Sequence, residues 1–265
     1  MSDTLRHRTL RVAFSVLGPL VTCHPPALLA KLVSVFEGAG IKVAHGTEKR
    51  PKPLARLAYP LPLGIEGLEE LADVTLETGL VESADAVRAT LRAHCPDGMD
   101  ILRVEQVPHH ASPIDELVET AHWAWTCPDK LFSEAARKIK AFEDSPSFLL
   151  TKTGKLDGKK GTKSIEVRHL VLGVAWEGRD LLFSTSVVQG HALNPQKLLA
   201  AILGTGPEGI VALRRLRLDT MDDHRLSRHD KYAHKLKNLY EDAVLLESGH
   251  NIKVLDDDED EVIRL

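Results

Sequence analysis

Apolar and polar positions along the chain follow two periods, and the period switches in a repeating order. Residues 8–15 alternate about Leu10, Val12 and Phe14, which predicts a strand. Gly18 and Pro19 break it, and Pro25 and Pro26 suit the first turn of a helix. Leu28, Leu29, Leu32, Val33 and Phe36 then fall on one helical face, ended by Gly38 and Gly40. Residues 41–44 predict a short strand, 46–52 a polar loop, 54–59 an extended segment and 71–76 a strand. Ser83 is placed to cap a helix through Cys95, and 101–107 predicts a closing strand. The order β-α-β-β-α-β is the split βαβ pattern of a ferredoxin-like fold.

The second half repeats the order. Residues 117–126 predict a strand carrying Trp123 and Trp125, and Asp129 a cap for a helix reaching Phe142. A strand at 148–153 and a loop at 154–164 follow; 165–172 fits no single element. Segments 174–176 and 181–187 predict a hairpin about 177–180. Pro195 opens a helix ending near Gly204, and 210–218 alternates as a strand. The expectation is an α+β protein of two tandem ferredoxin-like (βαββαβ) units with a C-terminal helix and acidic tail. Its parts are 1–108, 109–220 and 221–265, with the boundary near Pro108 to Pro113. Residues 228–246 predict a charged helix.

Charge sharpens this picture. The chain of 265 residues carries 34 Lys and Arg against 38 Asp and Glu, a net charge of −4. Asp256 to Glu261 is an unbroken acidic run, so the remainder is near neutral. Two basic segments stand out against it. One is Lys49, Arg50 and Lys52, with Arg56 beyond. The other holds Lys152, Lys155, Lys159, Lys160 and Lys163 against Asp157 alone. Both are read as loops after the second strand of their half, and flexible cationic loops suit phosphate contacts. Aromatics make up 5% of the chain and no strand carries the aromatic pattern of base-stacking sheets.

Chemistry-bearing motifs are incomplete. No glycine-rich phosphate loop joins a strand to a helix, and no Cys-x-x-Cys pair occurs. Cys23, Cys95 and Cys127 are odd in number and widely spaced, which fits a reducing compartment and a cytoplasmic location. No run approaches the roughly 18–20 apolar residues a membrane span requires. His224, His229 and His234 step by about 500° around a helix and share no face. His24, between the first strand and first helix, is the one candidate acid/base, because a helix N-terminus favours an anionic ligand. No metal or cofactor is expected.

Several segments resemble one family. Arg11-Val12-Ala13-Phe14-Ser15 followed by Gly18-Pro19-Leu20 resembles the opening of the bacterial radical-SAM-linked proteins, a domain family of unknown function. His24 falls where that family has a Ser-His-x-Asp segment, and 46–52 resembles its Gly-Phe-Asn-Pro-x-Pro-Lys loop. Residues 60–66, Pro-Leu-Pro-Leu-Gly-Ile-Glu, resemble its Ala-Leu-Pro-Leu-Gly-Val-Glu stretch. Lys160 to Lys163 and Glu166-Val167-Arg168 resemble its Lys-Gly-x-Lys and Asp-(Ile/Leu)-Arg elements. The chain departs at Thr47-Glu48-Lys49, which replaces Phe-Asn-Pro, and at Pro25 and Pro26, which replace the segment with the Asp.

The resemblance implies a non-catalytic accessory protein of a radical-SAM enzyme, presenting an RNA or a ribosomal component. Lys49, Arg50, Lys52, Arg56, the five lysines of 152–163 and Arg168 are then the candidate RNA contacts. Two alternatives remain open: a protein–protein adaptor using the 228–246 helix, and an RNA-processing enzyme using His24.

Overall fold

The computed structural model describes residues 8–77, 83–108, 111–156, 159–188 and 191–221. The expected charged helix at 228–246 and the acidic run lie outside the described residues. Among the described residues the chain forms two compact units, one running to His122 and taking in Arg214–Met221, the other Trp123–Leu213. The architecture is mixed α+β.

The first unit contains β1 (Arg8–Val16), α1 (Pro25–Gly38), β2 (Ala55–Leu57), β3 (Glu66–Leu76), α2 (Ala84–Arg92) and β4 (Ile101–Val107). β1 is central. It pairs antiparallel with β3, placing Arg11 opposite Asp73, and with β4, placing Arg11 opposite Glu105. β2 lies antiparallel on the other side of β3, so the order is β4–β1–β3–β2. Leu10, Val12, Phe14 and Val16 of β1 are buried, as are Leu28, Leu32, Val33 and Phe36 of α1 and Val87 and Leu91 of α2. This is the core that the two periodicities predict. Ser83 caps α2, accepting a bond from the Ala86 N–H at 3.3 Å. Gly98 stands at φ 87°, and a β-carbon there would collide with the Leu17 carbonyl, so the turn into β4 requires glycine.

Three features differ from the periodic reading. Residues 41–44 form no strand; only Val43 bridges to Leu76 before the chain leaves the sheet, and pairing resumes at Ala55. β3 begins at Glu66, well before residue 71. Its start is hidden in the sequence because Glu70 occupies a core position. The partner of Glu70 is Arg215, on the final strand β11 (Leu213–Thr220). β11 meets the start of β3 in parallel, Arg214 opposite Glu66 and Arg215 opposite Gly67. β11 also starts later than residue 210, because Ala212 adopts a left-handed conformation at φ 55° that extended backbone cannot continue through.

The second unit contains α3 (Phe132–Glu143), β6 (Leu149–Leu156), β7 (Lys159–Glu166), β8 (Val171–Glu177), β9 (Asp180–Val188), β10 (His191–Ala192) and α4 (Pro195–Leu203). It also takes the end of β5 (Val118–Thr126). β8 and β9 form the expected hairpin, with Glu177 opposite Asp180. β9 alternates cleanly, burying Leu181, Phe183, Thr185 and Val187. Trp123 is buried against it and donates from Nε1 to the Thr185 hydroxyl at 3.0 Å. The Thr126 N–H donates to the Ala212 carbonyl at 3.2 Å. Asp129 does not cap α3; it starts a separate 3-10 turn, Asp129–Leu131, and α3 begins at Phe132. α4 is capped by Asn194, whose side chain accepts from the Lys197 N–H, and ends at Gly204 with φ 65°.

The expected loop at 154–164 is instead β-structure. β6 and β7 form a two-stranded sheet of their own, in register from Leu149 opposite Glu166 to Leu156 opposite Lys159. Lysine is a weak strand former and glycine a breaker, so the segment reads as loop by propensity. Cross-strand backbone bonding overrides that preference.

The Arg215 guanidinium is fully buried. It donates from Nε to Glu70 Oε1 at 2.8 Å, from Nη2 to Glu70 Oε2 and, at 2.8 Å, to the Tyr59 carbonyl, and it lies over the Tyr59 ring. Removing one partner strands a charge away from water. Glu70→Gln and Arg215→Met should each destabilise the protein by about 3–5 kcal/mol. The double substitution should cost less than the sum of the two, as read from a denaturant-unfolding cycle.

Candidate nucleic-acid interface

The first basic segment is a loop whose ends are tied together. The Gly46 N–H donates to the Lys52 carbonyl at 2.9 Å and the Leu54 N–H to the Ala44 carbonyl at 2.7 Å. His45 bridges to Pro53. Between these ties 47–52 is exposed throughout. Glu48, Lys49, Arg50 and Lys52 line one open depression of about 510 Å³. None of the three cations forms an ion pair with a described residue. Glu48 is a single negative charge among three positive ones, so the depression is cationic at neutral pH.

The second basic segment lies on the β6–β7 hairpin. Lys152 is directly opposite Lys163 and Lys155 directly opposite Lys160, while Lys159 is opposite Leu156. The segment is therefore not a loop after the second strand of its half. Both basic segments fall between a helix and the strand that follows it: 46–52 between α1 and β2, and the hairpin between α3 and β8.

Glu166 anchors the hairpin root. Its Oε1 accepts the N–H groups of Phe148 and Arg168, each at 2.8 Å, and its Oε2 lies 2.6 Å from His169 Nδ1. The Val167 N–H donates to the Phe148 carbonyl at 2.9 Å. Burial works to raise the Glu166 carboxyl. The bonds from Phe148, His169 and Arg168 outweigh it, so its pKa lies below the ordinary 4.5. Arg168 belongs to this root. Its guanidinium donates to the carbonyls of Phe142 at 3.2 Å, Glu143 at 3.1 Å and Val171 at 3.2 Å, and sits 5.0 Å from the centre of the Phe142 ring. These contacts, two at the end of α3 and one at Val171, hold it on the protein's own backbone.

The remaining candidates are dispersed. His24 is exposed immediately before α1, and its side chain makes no capping bond. Arg56, on β2, pairs with Asp115 at 3.1 Å. Neither lines the depression.

A histidine with a carboxylate partner lies elsewhere. His122 Nε2 stands 2.6 Å from Asp219 Oδ2, and Asp219 Oδ1 accepts from Arg217 Nε at 2.9 Å. Burial works to raise the Asp219 carboxyl, and the bonds and charges of His122 and Arg217 outweigh it and lower its pKa. The two partners are 97 positions apart, so nothing in local spacing announces them. Among the described residues no group of three or more His, Cys, Asp or Glu side chains is disposed to hold a metal. No helix among them is long and apolar enough to cross a membrane.

A family model described as an uncharacterized protein conserved in bacteria (DUF2344) matches residues 34–197. No curated protein matches the chain. Among solved structures, a chain in a crystal structure of a Cbf5-Nop10-Gar1 complex is similar at 14% identity and a TM-score of 0.33. The match covers 86% of this chain and 56% of that one. This chain thus spans little more than half the length of that relative.

The depressed Glu166 pKa has a definite sign. A carboxyl that titrates lower when folded adds stability above its unfolded pKa and loses it as pH falls through the folded value. Thermal stability of the parent should therefore drop on acidification below about pH 4.5. The drop should be shallower in Glu166→Gln, compared by thermal melts across an acid pH series. Arg168→Ala should cost about 1.5–3 kcal/mol with no loss of surface charge pairing, since its partners are backbone carbonyls.

Proposed function

We propose that this chain, which belongs to the family of uncharacterized proteins conserved in bacteria (DUF2344), is a non-catalytic accessory protein that binds or presents RNA for a radical-SAM enzyme. The observation that carries the reading is the 46–52 loop. Lys49, Arg50 and Lys52 are exposed around one depression, and no described carboxylate is ion-paired to them. Cations left unpaired while Arg11, Arg168 and Arg215 are each held by acids or carbonyls are available to phosphates. The lysines of 152–163 are a second basic stretch of sequence, placed at the corresponding point in chain order.

The enzyme partner enters through the resemblance of 11–20 and 60–66 to radical-SAM-linked proteins. The 60–66 stretch meets the fold at two points: the Pro60 carbonyl faces Arg215, and the Gly64 N–H donates to the Val21 carbonyl at 2.8 Å. It therefore supports the scaffold, and the contact surface is assigned to the basic segments.

The fold is read as two ferredoxin-like units. The order β4–β1–β3–β2, with helices after the first and third strands, supports this for the first. The succession β5–α3–β8–β9–α4–β11, interrupted by the β6–β7 hairpin, supports it for the second. A cytoplasmic location is proposed on three cysteines that form no disulfide.

Fluorescence anisotropy with labelled RNA across a salt series tests the reading. The parent should bind with an affinity that falls steeply with salt. Changing Lys49, Arg50 and Lys52 to Ala should weaken binding and reduce the log–log salt slope by roughly 2–3, about 0.7–0.9 for each phosphate no longer neutralised. Binding that ignores salt and these residues overturns it. Purification of a radical-SAM enzyme with the tagged chain from its native host is the expected result for the partner.

A further inference from the structure

We infer that the 46–52 loop seats one terminal phosphate, the monoester at the end of an RNA strand, in place of the internal phosphodiesters of a strand laid across it. This rests on the nucleic-acid reading above and narrows its ligand. Lys49, Arg50 and Lys52 fall within four consecutive positions and line a single depression of about 510 Å³. A protein that follows a single strand spreads its cations along a groove and sets aromatic rings among them for the bases. No aromatic residue occurs in 44–54. The loop therefore concentrates positive charge at a point and offers nothing for a base to stack on.

The charge balance agrees. Glu48 lines the same depression, so three cations less one carboxylate leave two net positive charges there at neutral pH. A phosphate monoester carries about −1.5 to −2 at pH 7, whereas each internal phosphodiester carries a single negative charge. The monoester matches the depression and one diester does not. Arg50 adds a planar fork that can hold two oxygens of one phosphate, with the lysines beside it as point charges. The loop is also held in shape. Pro51 and Pro53 flank Lys52, and their rings fix φ at about −65°. The Gly46 to Lys52 and Leu54 to Ala44 bonds close the base at 2.9 and 2.7 Å. A β-carbon at Gly46 would collide with the Glu48 carboxylate, so this glycine gives the Glu48 side chain room to fold back toward the base. A backbone restrained in this way gives up little freedom on binding, which suits a compact anion.

The test is fluorescence anisotropy of the full chain at fixed salt, with one internally labelled single-stranded RNA in three forms: 5′-phosphorylated, 3′-phosphorylated and hydroxyl-ended. A labelled nucleoside monophosphate is measured alongside. The expected result is that a phosphorylated form binds roughly tenfold or more tighter than the hydroxyl-ended form, the effect of one further charge among several cations. The end that is preferred identifies which terminus is seated. The variant with Lys49, Arg50 and Lys52 changed to Gln should lose the preference and melt as the parent does, because no ion pair to a described residue is broken. Arg50→Lys, which keeps the charge and removes the fork, should reduce the preference and serves as a second variant. Equal affinity for all three forms overturns the inference; if that shared affinity still falls in the triple variant, the proposed function stands. A preference unchanged in both variants also overturns it. Nucleoside monophosphate bound at the loop with no RNA bound in any form retains the terminal-phosphate site and removes the RNA reading.

Discussion

The buried pairing of Arg215 with Glu70 is the constraint on which the first unit depends. Two charges 145 positions apart are taken out of water together, and every polar hydrogen named on the guanidinium has an acceptor: both Glu70 oxygens and the carbonyls of Tyr59 and Pro60. A buried pair of this kind gives little net stability compared with well-packed apolar residues, but it strongly penalises any arrangement that breaks it. It therefore acts on specificity. It sets which strand may lie beside the start of β3, in what register, and how the turn at 59–60 must point its carbonyls. A second pair works the same way on the other side of β3, where it meets β1. Arg11 meets Asp73 through two bonds, at 2.9 and 3.1 Å, and also donates to the Ser112 carbonyl at 3.2 Å. Asp73 in turn accepts the Ile114 N–H at 2.9 Å. The segment after β4 is thereby fixed against the sheet by charge and hydrogen bonding, where its own sequence carries no regular period.

These pairs explain where periodicity succeeded and where it stopped. β1, α1, α2 with its Ser83 cap, β4 and the β8–β9 hairpin are stabilised by apolar alternation and local capping, and both are visible in a short window of residues. β3 is half visible. Its later part, Leu71 to Leu76, reads as a strand, whereas Glu66, Glu69 and Glu70 disguise the earlier part until Arg215 is brought alongside. The β6–β7 hairpin is invisible for the converse reason. Its residues disfavour a strand individually, and only pairing with each other, above a root clamped by Glu166, makes them one.

The candidate interface was legible to the same degree. Lys49, Arg50 and Lys52 are close in sequence and line one depression, so their proximity is visible in the sequence. Arg168 looked equivalent by charge and resemblance, yet its guanidinium is bound to three carbonyls, a role no charge count distinguishes from an exposed one. His24 drew notice by its place before a helix. His122 and His169 are the histidines described with carboxylate partners; His122 meets Asp219 through strands far apart in the chain. Sequence reports which charges exist; topology decides which are neutralised.

That division of charges gives the two basic segments their meaning. Each is inserted between a helix and the following strand, and each is closed at its base by backbone bonds, Gly46 to Lys52 in one and Val167 to Phe148 in the other. Closing a base in this way uncouples the inserted residues from the sheet, because the ends stay together whatever the tip contains. Loop length then costs little, growing only logarithmically. Such positions can accumulate unpaired cations that a strand in the core could not tolerate. In the body, Arg11, Arg168 and Arg215 are each matched by an acid or a carbonyl. In the 46–52 insertion three cations share a depression with one glutamate. Lys49, Arg50 and Lys52 form no ion pair with a described residue, so the charge of that loop is no part of what holds the described fold together.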